Sequence, residues 1–158
     1  MGLEIERKFL LASDKWRGAV TRSEEIVQGY IAKTDTCSVR VRISDSTASL
    51  NLKGLALGTT RTEYECVLPA DDARAMLAEF CADRMVSKTR HYVDHEGYLW
   101  EIDEFSGSNT GLVVAEIELS TESEIFARPD WLGTEVTHDS RYYNVRLAEE
   151  SFRTWLNG

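Results

Sequence analysis

Apolar and polar side chains alternate through most of this chain, and the period is two. In Leu3-Glu4-Ile5-Glu6-Arg7-Lys8-Phe9, the residues Leu3, Ile5 and Phe9 fall on one side and Glu4, Glu6 and Lys8 on the other. An extended chain points successive side chains to opposite faces, so the pattern predicts a strand over 3–11. The same alternation predicts strands over 24–33, 38–43, 49–53, 61–68, 85–94, 99–103 and 113–119. Thr34-Asp35-Thr36 and Ser44-Asp45-Ser46 supply turn chemistry, and His95-Glu96-Gly97 is a hairpin signal. Residues 54–60 and Ser106-Gly107-Ser108-Asn109 read as loops. Gly29, inside the second strand, marks a bulge or a close backbone approach.

The period changes to helical in two places. After Pro69, Asp71 and Asp72 open a helix whose stripe is Ala73, Met76, Leu77 and Phe80. A last helix starts at Asp139 or Ser140 and runs to about Leu156, with Val145, Ala148, Phe152 and Trp155 on its apolar side. Ser13-Asp14-Lys15-Trp16 makes a short helical turn, and 121–133 is irregular with a short helix near 122–126. Strands joined by short hairpins predict an antiparallel sheet.

A length of 158 residues predicts one domain, 1–158, with a real core. No apolar run is long enough for a spanning helix. The charged start lacks the apolar region of a signal peptide. Cys37, Cys66 and Cys81 are odd in number and widely spaced, which predicts reduced thiols and a cytoplasmic location. The net charge of −9, with no Lys/Arg run, argues against nucleic acid as a partner.

The charges matter more than their sum. The acids on the polar strand faces are Glu4, Glu6, Glu63, Glu65, Glu101, Asp103, Glu116 and Glu118. The bases are Lys8, Arg40, Arg42, Lys53, Arg61, Lys88 and Arg90. For any one strand, a solvated face is the usual fate of such residues, and Arg61 fits that fate well. Here, however, the pairs are segregated by sign, and like charges two apart repel unless a counter-ligand sits between them. Paired carboxylates suit a hard divalent cation. Paired guanidinium and ammonium groups suit phosphate oxygens. A closed barrel brings both sets onto one lumen, with the helices covering its apolar exterior.

These residues resemble a known family. Glu4-Ile5-Glu6-Arg7-Lys8 is similar to the ExExK signature of the CYTH superfamily, the triphosphate tunnel metalloenzymes. Val39-Arg40-Val41-Arg42, Leu52-Lys53-Gly54, Arg61-Thr62-Glu63-Tyr64-Glu65, Lys88-Thr89-Arg90, Glu101-Ile102-Asp103 and Glu116-Ile117-Glu118 follow in the family's order. Asp139-Ser140-Arg141-Tyr142-Tyr143-Asn144 looks like its DxRYxN motif.

The resemblance implies a mainly β fold: an eight-stranded antiparallel closed tunnel with a charged lumen, covered by helices, with the C-terminal helix at one end. It implies that Lys8, Arg40, Arg42, Lys53, Lys88 and Arg90 bind phosphates. Glu63, Glu65 and Glu101 join them in the substrate site, orienting bases or waters. Glu4, Glu6, Asp103, Glu116 and Glu118 would hold Mg²⁺ or Mn²⁺. Tyr30, in its Gln28-Gly29-Tyr30 context, matches a tunnel tyrosine of short bacterial members. The catalytic set implied is Glu4, Glu6, Lys8, Arg42 and Tyr30.

The function expected is metal-dependent hydrolysis of a triphosphate, foremost inorganic triphosphate, to diphosphate and phosphate. One metal would orient the chain, and a second metal or the Glu4/Glu6 pair would position the water. The same family includes class IV adenylate cyclases and thiamine triphosphatases, and a nucleoside triphosphatase is a further alternative. None of the tryptophans falls in the loop between the fourth and fifth strands, where a stacking platform for a base would be sought, and Trp100 faces away from Glu101. A non-catalytic polyphosphate binder would gain nothing from carboxylates facing an anion. His91, His95 and His138 are not needed, because a metal-held water requires no histidine base. A homodimer is compatible with the sequence.

Overall fold

The computed structural model describes residues 2–45, 47–55 and 59–157. Ser46 of one expected turn and Ala56, Leu57 and Gly58 of one expected loop lie outside the described residues. Nine strands form among the described residues: β1 (Gly2–Leu11), β2 (Val20–Lys33), β3 (Cys37–Ser44), β4 (Thr47–Gly54), β5 (Thr60–Leu68), β6 (Met85–His95), β7 (Tyr98–Phe105), β8 (Val113–Glu118) and β9 (Leu132–Glu135). Three α-helices accompany them: α1 (Ala70–Phe80), α2 (Asn144–Glu149) and α3 (Phe152–Leu156).

The strands pair in the order β5-β4-β3-β2-β6-β7-β8-β1-β9, and a further β5–β1 pairing closes the first eight into a barrel. β1 is the closing stave. One edge pairs with β8 from Glu6 to Leu10. The other edge is divided: Gly2 to Ile5 pair with β5, and Phe9 and Leu11 pair with β9. Between these stretches, the Lys8 backbone bonds to Thr137 and Val136 instead. Closure abolishes sheet edges and turns the polar faces inward.

The exterior is covered in two patches. α1 lies on β2, β3 and β4 and buries Ala73, Leu77 and Cys81 against Val41 and Ala48. It rests on Gly29, where a Cβ would stand 2.5 Å from Cβ of Cys81, so the glycine marks a close approach and not a bulge. The second patch packs Phe9, Trp100, Ile102 and Ile117 under Trp16 and Trp131. Trp100 is therefore exterior and covered, as its parity predicts.

A third apolar cluster fills one end of the barrel. Tyr30, Val86, Phe105 and Val114 meet Leu147 and Ala148 of α2, flanked by Phe152 and Trp155 of α3. The expected end plug is thus present, in a different form. The single helix foreseen from 139 to 156 is a short 3-10 turn, Ser140–Tyr142, followed by α2 and α3. Asn109 splices the break: its Nδ2 donates to the Leu147 carbonyl and its Oδ1 accepts from the Phe152 backbone N–H.

Two other expectations need correction. Residues 122–126 are not helical. Oε2 of Glu124 accepts from the Ser120 N–H, and Phe126 is laid against Trp100. The ninth strand, β9, was not foreseen, since four residues give too little pattern to read. No helix among the described residues is long and apolar enough to cross a membrane.

Candidate active site in the barrel lumen

The lumen is a charged cavity of about 200 Å³, open to solvent. Register alone assembles much of it. β1 sets Glu4 opposite Arg61, Glu6 opposite Glu118 and Lys8 opposite Glu116. β6 sets Arg90 opposite Asp103, and β7 sets Glu101 opposite Glu116. β3 places Arg40 and Arg42 opposite Tyr30 and Gln28.

The implied site residues Glu4, Glu6, Lys8, Tyr30, Arg40, Arg42, Lys53, Glu63, Glu65, Lys88, Arg90, Glu101, Glu116 and Glu118 all line this cavity. Asp103 lies behind them, fully buried. It bonds to Lys88 and accepts Nε of Arg90 at 2.7 Å. Burial opposes its charge, but Arg90 and Lys88 outweigh that and bring its pKa down to about 2. Its oxygens are engaged with these two bases, which places Asp103 as their counter-ion and leaves it out of the open acid group.

The bases divide by whether a carboxylate answers them. Burial works against the charge of Lys8, yet Glu116 and Glu6 raise its pKa. Arg61 is half-buried and in the lumen, not solvated; its Nε is 2.9 Å from Glu4 and its Nη2 3.0 Å from Glu6. It shares strand parity with Glu63 and Glu65, and that was the signal for placing it here. Arg40 is different. Its nearest carboxylate oxygen, on Glu63, is 3.8 Å away, and its buried Nε has no partner among the described residues. Among the described residues Arg42 donates only to the amide oxygen of Gln28. Burial, followed by Arg40 and Arg90, lowers its pKa to about 10. Burial lowers Lys88 to about 7, with Arg90 and Arg42 adding to the effect against Asp103.

A buried cation without a counter-ion is expensive to keep. A concave group of such cations is a preformed anion site. The planar donors of Arg40 and Arg42 match phosphate oxygens.

The opposite problem occurs on the acid side. Burial, then Glu4, Glu6 and Glu63, raise the pKa of Glu118. Among the described residues no base bonds to it. Glu6 and Glu118 are cross-strand neighbours of like charge, an arrangement that repels unless a cation lies between them. The donors are all carboxylate oxygens, which suits Mg²⁺ or Mn²⁺ and not the softer metals. Among the described residues no three acids stand together at ligating distance, because Glu4 and Glu6 are drawn to Lys53 and Arg61. The chemistry of the donor set fits a divalent cation.

Gln28, buried in the wall, and Asn144, on the lining, carry no charge and are bonded to each other at 3.2 Å; the sequence marks them only as members of the Gln28-Gly29-Tyr30 and DxRYxN stretches, with no role of their own.

Comparison with known proteins agrees with this geometry. The CYTH domain model matches residues 2–151. The chain is 40% identical to an inorganic triphosphatase of Acetivibrio thermocellus over 98% of this chain and 99% of that one. It is 35% identical to an inorganic triphosphatase of Nitrosomonas europaea, over 92% and 96%. A solved inorganic triphosphatase structure superposes with a TM-score of 0.69 at 34% identity, covering 94% of this chain and 95% of that one.

Proposed function

The chain belongs to the CYTH domain family, and from that premise we propose that it hydrolyses inorganic triphosphate to diphosphate and phosphate with Mg²⁺ or Mn²⁺. The observation that carries the proposal is the pair of under-compensated guanidiniums, Arg40 and Arg42, facing the same cavity as the uncompensated carboxylate Glu118. A polyphosphate with a divalent cation satisfies both at once. The names of the relatives support the same reaction.

Arg40, Arg42, Lys53, Lys88 and Arg90 bind the phosphate chain, and Lys8 joins them beside Glu116. The chain carries several negative charges. Unit charges about 4 Å apart attract by roughly 4 kcal/mol at an effective dielectric near 20, enough for it to compete with Glu63 for Arg40. Glu4, Glu6 and Glu118 hold the cation, with Glu116 close by. Bound there, the cation supplies charge neutralisation at the phosphoryl oxygens and a more acidic water. The Glu4/Glu6 pair orients the attacking water and accepts its proton. Glu63 stands 3.7 Å from Lys53 and 3.8 Å from Arg40, Glu101 pairs with Arg90, and Glu65 shares the Asn51 amide with Glu63, so the three acids hold the polar lining in place. The Tyr30 oxygen accepts from Gln28, which leaves its own proton for a phosphate oxygen. A cytoplasmic location belongs to the proposal, supported by the free thiols of Cys37, Cys66 and Cys81.

The test is phosphate release from tripolyphosphate, ATP, thiamine triphosphate and diphosphate with Mg²⁺ and with Mn²⁺. Tripolyphosphate is expected to be turned over best. Cyclic AMP as the sole product from ATP, or no phosphate release from any of them, overturns the proposal. Full metal-dependent activity in Glu118→Gln overturns the carboxylate assignment.

A further inference from the structure

Gln28 is wholly buried in the barrel wall. Its Oε1 accepts two hydrogen bonds from Arg42, from Nε at 3.0 Å and from Nη2 at 2.8 Å. Its Nε2 donates to Oδ1 of Asn144 at 3.2 Å. The same Oδ1 accepts from Nζ of Lys88 at 3.1 Å. The direction of this network is fixed by chemistry. Guanidinium and ammonium groups only donate, so both amides must turn their oxygens to the cations.

The other lumen bases each have a carboxylate oxygen within 3.8 Å. Arg42 has a neutral amide in that place. Glutamate would fit the same space, would bind the guanidinium more strongly, and would cancel its charge.

We propose that Gln28 and Asn144 are positioning residues that set the charge of the phosphate site, orienting Arg42 and Lys88 with neutral oxygens so that Arg42 stays uncompensated for the substrate. The inference rests on the reading of the lumen as a triphosphate site. Its consequence is that the amides matter through what they lack. They hold the cation in place without competing for it.

The test uses tripolyphosphate with Mg²⁺ and compares wild type with Gln28→Glu, Gln28→Met and Asn144→Asp, with thermal melting of each. Gln28→Glu changes charge at constant volume. It also loses the donor to Asn144, so it is expected to melt somewhat lower than wild type while staying folded, and to raise KM at least about tenfold with a smaller change in kcat, the pattern of lost uniform binding. Asn144→Asp is expected to move KM in the same direction. Gln28→Met removes the hydrogen bonds without adding charge, and its KM is expected to rise less. A folded Gln28→Glu with the wild-type KM overturns the inference, as does a Gln28→Met KM equal to or above that of Gln28→Glu. If Gln28→Glu does not fold, Asn144→Asp decides by the same criterion. Failure of both to fold assigns the amides a structural role and also overturns it. A wild-type protein with no tripolyphosphate turnover would sink the parent reading instead, which keeps the two failures apart.

Discussion

Lys53 on β4 reaches past the intervening strand β5 to set its Nζ 3.0 Å from Oε2 of Glu4 on β1. The same oxygen accepts Nε of Arg61 at 2.9 Å. The metal half and the phosphate half of the proposed site are therefore tied to each other when neither ligand is bound. A cation that takes Glu4 frees Lys53 and Arg61, and an anion that takes Lys53 frees Glu4. Mg²⁺ is expected to tighten tripolyphosphate binding by at least about tenfold, a coupling of roughly 1.4 kcal/mol, and tripolyphosphate must tighten Mg²⁺ equally. Calorimetric titration of the wild type with a non-hydrolysable tripolyphosphate analogue, in both orders of addition, measures it. Equal tripolyphosphate affinity with and without Mg²⁺ would count against the coupling.

Arg42 and Asp103 should respond oppositely to removal. Arg42→Met takes away a buried cation with no counter-ion, so the melting temperature should hold or rise while kcat/KM falls by about 10²–10³. Asp103→Asn leaves Lys88 and Arg90 without their shared carboxylate, and should destabilise by about 3–5 kcal/mol. Chemical denaturation and steady-state kinetics on both variants separate a binding cation from a structural anion. A large stability loss in Arg42→Met would contradict the assignment.

Lys88 gives the site a pH dependence. Its pKa in the folded protein, about 7, lies below the ordinary lysine value of 10.5. Between these values the unfolded chain holds the proton and the folded chain does not. This group's contribution to stability therefore rises with pH across that window. Triphosphate binding runs the other way, because the anion favours the charged amine. At pH 8, binding should take up a fraction of a proton. Binding enthalpies measured in two buffers of different ionisation heat report the uptake, and Lys88→Met should abolish it. Buffer-independent enthalpies in the wild type would refute this role for Lys88.

Gly29→Ala should loosen the cover over β2. The new methyl would stand 2.5 Å from Cβ of Cys81 and 2.8 Å from Cδ2 of Leu77, so α1 must move. Overpacking of this kind costs about 1–3 kcal/mol, readable as a lowered melting temperature. An unchanged melt would mean that α1 shifts freely, against its burial of Ala73 and Leu77.

Much of the site was legible because strand parity is a local property. Glu4, Glu6 and Lys8 share a face whatever β1 pairs with, and so do Arg40 and Arg42. Arg61 was less legible, since a lone base next to solvent and a base clamped between Glu4 and Glu6 look alike along the chain. Gln28 and Asn144 stood in recognisable motifs, but their part in the site was not legible. A neutral amide acquires its role only from the cation across from it, and residues 28 and 144 are brought together by the plug. The broken C-terminal helix follows the same logic. Its apolar stripe reads as continuous, while the break is imposed by Asn109, from a distant turn.

Local alternation was enough to show which side chains share a face, the sign of each pair, and the family pattern those pairs compose. Tertiary structure decided that the sheet closes, with β1 shared among β5, β8 and β9. It decided which acid answers which base, and which bases are left unanswered. The reason is physical. Alternation follows from the geometry of a single extended chain, but compensation of a buried charge depends on register, closure and burial, and these exist only once all the strands are in place.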